Sequence, residues 1–299
     1  MNIDQELGSK LKTGIKKNEP MSSHTSWQVG GPADYYACPA DLPEILEIVR
    51  FCRKNELPLF IMGNGTNLLV LDGGIRGLVV NIGEPFNYVN RIDDALVAGS
   101  GTSMTFLANV AAEQGLAGLE FAVGIPGSLG GAVIMNAGAF GLYIGEKIES
   151  VKLVSFNGEL VTYRRNDLLF SYRTSNLIGK GVIVEVNLQL EKGDPAESVK
   201  MMEHYLTERS RRHPNLPSAG SVFRNLPGQP AGQIIEGLGC KGMSVGGAQV
   251  SPKHANFIVN TGNATASDIL TLIQTIRQMV KDNHGIELQT EVKIVGEER

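Results

Sequence analysis

Apolar positions in the first third of the chain change from helical to extended spacing within a short distance. Asp41 followed by Glu44 is typical of a capped helix start, and apolar residues then recur on one helical face to about residue 55. Short apolar runs separated by turn residues follow, and they predict strands at 57–62, 68–71 and 77–82. The pattern therefore predicts a β-α-β unit with a glycine loop, residues 63–67, before its next strand.

The same alternation continues to about residue 190. Residues 94–102 are predicted as a strand and turn, and 103–115 as a helix that ends at Gly115. Strands are predicted at 147–156, 159–165 and 181–190, and Asn157-Gly158 predicts that the first two form a hairpin. This half of the chain is expected to be α+β with many short strands.

The second half begins at a polar segment, residues 191–198, that leads into a predicted helix ending near Arg212. A turn-rich segment follows, and the remaining elements are predicted as a short helix at 231–239, a strand at 256–260, a helix from Ser267 to Asn283 and a strand at 286–296. The last strand alternates cleanly, and its polar face carries Glu287, Glu291 and Lys293. From this pattern alone, Glu291 is expected to be solvated.

Length and composition indicate a soluble globular protein of two or more domains. The chain has 299 residues, 42% of them hydrophobic, and a formal net charge of −4. Its basic cluster, residues 208–213, ends a predicted helix, where cations suit the helix dipole, so nucleic acid is not an expected partner. Residues 121–145 carry no charge, but glycines and Pro126 make them a poor membrane span, and no membrane association is expected.

The cysteines and the N-terminus indicate the compartment. Cys38, Cys52 and Cys240 are odd in number and widely spaced, which fits neither a disulfide framework nor a zinc cluster. No metal site is therefore expected, and a reducing cytoplasm is the natural location. The polar N-terminal segment has no apolar core, so no secretory signal is expected.

Two glycine-rich segments are candidates for binding a phosphate group. Residues 63–67, GNGTN, lack the third glycine of the dinucleotide fingerprint and the Lys-Ser/Thr pair of a P-loop, so alone they fit a tight turn better than an anion nest. The longer uncharged run 124–141 changes this, because two cradles in one domain suggest a ligand as long as a dinucleotide. The predicted cofactor contacts are Gly63, Asn64, Gly65, Thr66, Asn67, Gly127, Ser128, Gly130, Gly131, Asn136 and Gly138.

Ser221 stands in PNLPSAGSVFRN, residues 214–225, with no neighbouring histidine or acid to activate it. One interpretation is a turn serine that caps the chain or satisfies a backbone group. The other is that its hydroxyl proton takes part in a reaction, although nucleophilic attack is not favoured without an adjacent base to remove that proton. The local sequence leaves both open.

Five motifs in order carry a resemblance that covers about residues 25–296: GNGTNLL, GLEFAVGIPGSLGGAVIMNAGAFG, FSYRTS, PSAGSVFRN and EVKIVG. Together they resemble the UDP-N-acetylenolpyruvoylglucosamine reductases. The resemblance implies an α+β protein in which an FAD-binding domain of the vanillyl-alcohol-oxidase (PCMH) type has two subdomains, 1–82 and 83–195. A separate C-terminal α+β substrate domain is expected at 196–299, with its last strand, about 286–296, returning to the active site.

The resemblance also implies the chemistry. NADPH as co-substrate reduces non-covalently bound FAD, and flavin N5 then passes hydride to the vinyl carbon of UDP-N-acetylglucosamine enolpyruvate, giving UDP-N-acetylmuramate. The implied catalytic residues are Arg173, which stabilises the enolate-like charge, Ser221, which donates the proton, and Glu291, which orients or polarises the carboxyl group or carries a proton. The candidate substrate contacts are Tyr172, Arg224, Asn225, Lys241 and His254.

The implied biology is peptidoglycan synthesis, and through it cell wall biogenesis, cell shape and division, by a cytoplasmic enzyme that is expected to be a monomer. Some members of the family carry a tyrosine-bearing insertion that closes over the nucleotide. No such insertion is present between Asn187 and Pro214, so the chain resembles the shorter subtype.

Two alternatives remain at this point. A flavin oxidase or dehydrogenase of the same fold acting on an alcohol or lactone would share the cofactor-binding motifs. A non-catalytic nucleotide-binding module would keep the glycine segments without the chemistry, although the presence of Arg173, Ser221 and Glu291 together speaks against it.

Overall fold

The structure is a computed structural model that describes residues 3–298. The chain forms two compact units, each of which is discontinuous in sequence. Unit 1 contains the chain up to Lys17, Tyr35–Asn64 and Gly77–Arg209, and unit 2 contains Asn18–Asp34, Gly65–Arg76 and the chain from Ser210 onwards. The predicted division into 1–82, 83–195 and 196–299 stays a prediction.

The helices are spread over both units, and the longest are near the C-terminus. They are α1 (Ile3–Glu6), α2 (Leu42–Lys54), α3 (Met104–Glu113), α4 (Leu129–Ile134), α5 (Pro195–Arg212), α6 (Ala231–Gly237) and α7 (Ala266–His284). Among the described residues, no helix has the length and hydrophobicity that a membrane crossing needs.

The strands are mostly short. They are β1 (Lys16–Pro20), β2 (Pro32–Ala37), β3 (Leu59–Met62), β4 (Leu68–Val70), β5 (Ile75–Asn81), β6 (Val89–Ile92), β7 (Ala95–Gly99), β8 (Leu116–Ala117), β9 (Gly138–Ala139), β10 (Leu142–Tyr143), β11 (Ile148–Ser155), β12 (Leu160–Arg164), β13 (Phe170–Ser171), β14 (Thr174–Ser175), β15 (Gly181–Gln189), β16 (Glu191–Lys192), β17 (Ser244–Val245), β18 (Ala248–Val250), β19 (Ile258–Asn260) and β20 (Lys293–Val295).

Unit 1 is built around an antiparallel five-stranded sheet with the order β12-β11-β15-β7-β6. Its central strand serves two cores, because a register shift opposite Lys152 and Leu153 changes which side chains face each side. Ile183, Val186 and Leu188 join a core with α3 and α4, whereas Val182 and Val184 join a second core with α1 and α2. The glycine-rich segment 124–131 thus leads into α4, which packs in the first of these cores.

The core of unit 2 is formed by α6 and α7 packed with the antiparallel sheet β17-β18-β19. Trp27 is fully buried there, and its Nε1 donates to the Ile258 carbonyl at 2.7 Å. Strand β4 does not pair with β3 or β5; it lies parallel to β20, with Leu69 opposite Ile294. This pairing holds the end of the chain beside the segment that follows the first glycine loop.

Most predicted elements are confirmed. Asp41 caps α2 by accepting the Glu44 amide at 3.1 Å, and Asn157-Gly158 connects the β11–β12 hairpin. The predicted start of the last helix at Ser267 was wrong, because Thr265 is the N-cap and its side chain bonds the Asp268 amide at 3.1 Å. Threonine and aspartate form a reciprocal capping box that begins before the predicted start.

The predicted strand at 286–296 was also wrong over most of its length, since only Lys293–Val295 is a strand. Leu288 and Val292 are buried as the alternation predicted, but Ile294 is 37% exposed. The alternating pattern reports burial of single side chains along an extended segment. Residues 289–291 make only an isolated pairing with residues 222–224, and a regular strand pair forms only at Lys293–Val295.

Asp72 provides a test of how unit 2 holds its longest helix. Its carboxylate accepts from the backbone amides of Ala266 and Ser267 at 3.0 and 2.9 Å and from the Ser267 hydroxyl at 2.7 Å. Asp72→Ala is expected to lower the free energy of unfolding by about 1–2 kcal/mol, because the first helical amides lose an ionised acceptor. Urea denaturation with the exposed Glu113→Ala as control checks this; equal stability of the two variants would contradict it.

Candidate active site

The two glycine-rich segments meet inside unit 1. A Cβ added at Gly63 would overlap the hydroxyl of Ser128, so glycine is required for the two segments to approach each other this closely. Asn81 fixes the first segment by donating from Nδ2 to the Gly63 carbonyl at 2.8 Å. The structure therefore brings together two motifs that are far apart in sequence, as the hypothesis of one ligand site requires.

A third segment, residues 100–104, supports this region and was not assigned to it from sequence. The amides of Gly130 and Leu129 donate to the carbonyls of Ser100 and Thr102, each at 2.8 Å, and the Met104 amide donates to Gly127 at 3.1 Å. The signal was a Gly/Ser/Thr-rich turn before a helix, which alone is indistinguishable from an ordinary connection.

Several donors near this meeting point have no acceptor among residues 3–298. They are the amide groups of Gly63, Asn64, Ser128 and Gly131 and the hydroxyl of Ser128, whose residue is only 3% exposed. Ser128 is the buried member of this set, whereas Asn64 and Gly131 are exposed, and buried polar groups in proteins are normally bonded. A set of neutral donors in a segment without charged side chains fits the phosphate oxygens of a dinucleotide such as FAD.

Other glycines in the run have a reason within the protein. A Cβ at Gly130 would lie 3.0 Å from the Cβ of Ser100, and one at Gly138 would overlap the Leu142 carbonyl. Contact between protein segments is therefore sufficient to explain glycine at these positions. Contact of Gly127, Gly130 or Gly138 with a cofactor stays a prediction.

The rest of the first glycine loop belongs to unit 2. Gly65 has φ +63°, and a Cβ there would overlap the His24 carbonyl. Asn67 donates from Nδ2 to the Glu291 carbonyl at 3.3 Å, and its own carbonyl accepts from the Lys293 amide at 3.0 Å. Asn67 thus holds the backbone of the segment that carries Glu291. Thr66 is half-buried, and its contact with a cofactor stays a prediction.

Arg173 occupies a strained position at the end of a hairpin in unit 1. Tyr172 and Arg173 are the two residues between β13 and β14, and Arg173 has φ +56°, a conformation that costs a non-glycine residue free energy. Its guanidinium lies 5.5 Å from the centre of the Tyr172 ring and donates from Nη1 to the Gly138 carbonyl at 3.4 Å.

Asn136 holds this hairpin. The side chain is 5% exposed; its Nδ2 donates to the Ser171 carbonyl at 3.0 Å, and its Oδ1 accepts from the Gly145 amide at 3.0 Å. Asn136 itself has φ +42°. Both polar ends of the predicted cofactor contact are therefore engaged inside the protein, and the residue acts as a clamp beside Arg173.

Ser221 and Glu291 lie on neighbouring, antiparallel segments of unit 2. The Glu291 amide donates to the Val222 carbonyl at 2.7 Å, the Arg224 amide donates to Gln289 at 2.9 Å, and Phe223 pairs with Thr290. This register places Ser221 one position from the residue opposite Glu291.

The Ser221 hydroxyl makes no hydrogen bond within residues 3–298, so it does not cap the turn. Gly220 before it has φ +76° and open space around it, so backbone conformation explains the glycine. Glu291 is half-buried, whereas Glu287 and Lys293 are exposed, as expected for those two. The sequence pattern alone could not separate Glu291 from its exposed neighbours.

The predicted substrate contacts of unit 2 differ in how far the protein already engages them. Arg224 has a buried Nε with no hydrogen-bond partner in the described chain. Asn225 accepts from the Ala231 amide at 3.1 Å, and Lys241 pairs with Glu236 at 2.6 Å. Arg224 therefore has a buried donor that a ligand could use.

His254 is half-buried in an aromatic cluster, with its ring 4.9 Å from Phe257 and 6.0 Å from His213. Its Nδ1 accepts from the Asn256 amide at 3.2 Å. Burial lowers the pKa of His254, and the positive charge of Lys241 lowers it further. The imidazole is therefore neutral near pH 7 and offers a hydrogen bond without adding charge.

Comparison with known proteins assigns both parts of the chain. Residues 212–295 match the family described as UDP-N-acetylenolpyruvoylglucosamine reductase, C-terminal domain, and residues 33–164 match the family described as FAD binding domain. The UDP-N-acetylenolpyruvoylglucosamine reductase of Heliobacterium modesticaldum is 47% identical over 284 residues, which cover 94% of this chain and 90% of the relative. That of Caldanaerobacter subterraneus subsp. tengcongensis is 44% identical, covering 97% and 98%.

A solved structure supports the same assignment. UDP-N-acetylenolpyruvylglucosamine reductase from Thermus caldophilus matches with a TM-score of 0.82 and 34% identity over 94% of this chain and 99% of its own. These matches confirm the predicted α+β fold with an FAD-binding domain and a distinct C-terminal domain.

Removal of the Asn136 clamp tests its role. Asn136→Ala deletes two buried hydrogen bonds, so amide hydrogen exchange over residues 170–175 is expected to accelerate by about tenfold or more, as about 1–3 kcal/mol of local stability is lost. The exposed Asn90→Ala serves as control. Unchanged protection of the hairpin in Asn136→Ala would contradict the assignment.

The His254 environment gives a pH prediction. The folded pKa lies below the unfolded value of about 6.5, so the unfolded state binds more protons as the solution is acidified. The contribution of neutral His254 to stability is full above the unfolded pKa and falls as pH drops towards the folded one. NMR titration, assigned with His254→Gln, should give a midpoint below about 6.5; a higher midpoint would contradict burial as the dominant cause.

Proposed function

The chain belongs to the UDP-N-acetylenolpyruvoylglucosamine reductase family, and on that premise we propose how its own residues carry out the reaction. It reduces UDP-N-acetylglucosamine enolpyruvate to UDP-N-acetylmuramate in peptidoglycan synthesis. The alternatives, a flavin oxidase of the same fold or a non-catalytic nucleotide-binding module, are not favoured by relatives of this identity and coverage.

FAD is the cofactor, as the match of residues 33–164 supports. When bound, FAD supplies the redox chemistry by taking a hydride from a reduced nicotinamide, proposed to be NADPH, and giving it to the substrate's vinyl carbon. The proposed contacts are the donors without partners at Gly63, Asn64, Ser128 and Gly131, because neutral amides bind phosphate oxygens without a basic patch. Gly65, Thr66, Gly127, Gly130 and Gly138 remain proposed neighbours of the cofactor.

Arg173 is proposed to hold the substrate carboxylate as negative charge develops beside it. Hydride addition to the terminal vinyl carbon leaves charge on the neighbouring carbon, from which it spreads to the carboxylate. A guanidinium carries its charge at every accessible pH and matches the two carboxylate oxygens. The positive φ and the Asn136 clamp support this role, since backbone strain held by a buried side chain is typical of functional positions. Tyr172 is proposed to line the same site.

Ser221 is proposed to donate the proton to the carbon that bears the ether oxygen. The observation that carries this proposal is its hydroxyl without a hydrogen-bond partner in the described chain, on a segment paired with that of Glu291. A turn serine would normally bond the backbone, whereas a donor to substrate needs its proton available.

Glu291 is proposed to orient the substrate carboxyl group or carry a proton, with Asn67 fixing its backbone. The nucleotide part of the substrate is proposed to contact Arg224, Asn225, Lys241 and His254. Arg224 is the best-supported candidate among these for contact with the diphosphate. Its Nε has no hydrogen-bond partner in the described chain, and a diphosphate prefers cationic donors.

We propose a cytoplasmic location, since the reaction consumes a reduced nicotinamide and a nucleotide sugar. The monomeric state is a separate proposal. In terms of the predicted division, residues 1–195 would hold the cofactor and residues 196–299 the substrate. The molecular mass of the purified protein, measured by analytical ultracentrifugation, tests whether it is a monomer.

The function is tested by anaerobic mixing. Protein whose flavin has been reduced by NADPH is mixed with UDP-N-acetylglucosamine enolpyruvate, and the return of oxidised flavin absorbance is followed. Reoxidation with formation of UDP-N-acetylmuramate is expected. Flavin that stays reduced, while oxygen still reoxidises it, would contradict the substrate assignment.

Ser221→Ala tests the proton donor. Flavin reduction by NADPH should stay within about twofold of the unmodified protein, while reoxidation by substrate slows about 100-fold or more, the usual size of a general-acid contribution. Ser218→Ala is a matched control on the same segment and should change neither step. Equal slowing of both steps in Ser221→Ala would refute the role.

A further inference from the structure

One face of α5 is turned towards the glycine-rich part of unit 1. Ser198 and Met202 are its buried residues, and the Ser198 hydroxyl donates to Glu120 Oε1 at 2.8 Å. Tyr205, on the same face, stacks on Phe140 with ring centres 4.2 Å apart. Arg209 follows at the helical spacing that continues this face.

Arg209 lies directly against Gly124, at the start of segment 124–131. A Cβ at Gly124 would overlap Cδ of Arg209 and lie 2.7 Å from its Nε. Gly124 does not have a positive φ, so its backbone alone does not require glycine. The position of the Arg209 side chain leaves no space for a Cβ, which explains glycine at position 124.

The charge of Arg209 has no counterpart in the described chain. It has no ion pair or hydrogen bond within residues 3–298, although it is half-buried. Burial lowers the pKa of Arg209, and no neighbouring carboxylate offsets this effect. A desolvated cation without a partner costs free energy, so a partner outside the chain is expected.

Other cations on α5 are in a different situation. Arg211 and Arg212 have interactions within the protein, and Lys200 is exposed to solvent. Attraction of cations to the end of a helix explains a terminal cluster in general, but it does not explain why Arg209 packs inward on a glycine.

We propose that Arg209 supplies the positive charge of the otherwise neutral cofactor segment 124–131 and binds the negative charge of FAD. Two parts of FAD carry such charge: the diphosphate in every redox state and the pyrimidine edge of the isoalloxazine after reduction. The guanidinium suits both, because its donors are planar and permanently charged. The proposal rests on FAD as cofactor and is independent of the sugar substrate.

The test compares Arg209→Gln with Lys200→Gln, which removes the same charge from an exposed position on the same helix. Apoprotein is titrated with FAD and, separately, with riboflavin, which lacks the diphosphate, and flavin fluorescence gives each Kd. The affinity for reduced FAD follows from the midpoint potential of the bound flavin. No measurement needs NADPH or the UDP-sugar, so a failed substrate assignment would leave the result unaffected.

Contact with the diphosphate predicts that Arg209→Gln weakens FAD binding about tenfold or more while riboflavin binding is unchanged, as loss of a charge-assisted pair implies. Contact with the pyrimidine edge predicts unchanged affinity for oxidised FAD and about tenfold weaker binding of reduced FAD. Binding of both redox forms equal to that of Lys200→Gln would overturn the proposal.

Two further variants separate charge from packing. Arg209→Lys keeps the charge and should bind FAD more tightly than Arg209→Gln; equal binding by these two folded variants would assign the effect to packing and overturn the proposal. Gly124→Ala displaces the guanidinium without removing it and should weaken the same binding step as Arg209→Gln. Circular dichroism establishes that each variant is folded.

Discussion

The arrangement of the proposed active site depends on how a strained arginine is held. Arg173 stands in a left-handed backbone conformation between two strands of two residues each, a hairpin too short to be stable by itself. The Asn136 side chain compensates by bonding the carbonyl just before the turn and the amide of Gly145. Because that side chain is buried, the bonds are protected from water, and the guanidinium is placed by the core instead of by a flexible loop.

The two units provide different kinds of polar group. Unit 1 carries neutral amides around Gly63 and Ser128, which suit a phosphate, and unit 2 carries Ser221 and Glu291 on neighbouring segments, which we propose for proton delivery and orientation of a carboxyl group. The proposed cations are Arg173 and Arg209 in unit 1 and Arg224 and Lys241 in unit 2. In cofactor chemistry the protein positions such groups and the flavin carries the redox change.

Local signals predicted the parts of the fold that local forces determine. The Asp41 cap and the Asn157-Gly158 turn are decided by neighbouring residues, and both are confirmed. Strand pairing at 286–296 was wrong because alternation reports which side chains are buried and not whether a partner strand is adjacent. The true cap, Thr265, was passed over because Ser267, which bonds Asp72, looks equally suitable in the sequence.

The sequence allowed the motifs of the proposed site to be predicted, but not the contacts that their residues make in the folded protein. Family resemblance supplied Arg173, Ser221 and Glu291, whose roles remain proposals, but nothing near Asn136 or in residues 100–104 indicates their long-range bonds. Several glycines chosen as ligand neighbours are required by protein atoms, such as Leu142 at Gly138. These contacts depend on segments brought together by folding, which a single sequence does not encode locally.

A double-mutant cycle tests whether Asn136 acts through Arg173. The rate of flavin reoxidation by UDP-N-acetylglucosamine enolpyruvate is measured for Asn136→Ala, Arg173→Gln and the double variant. Asn136→Ala is expected to slow this step about tenfold in the unmodified protein and less than about twofold when Arg173 is already absent, since coupled residues are not additive. Slowing by the same factor in both backgrounds would contradict it.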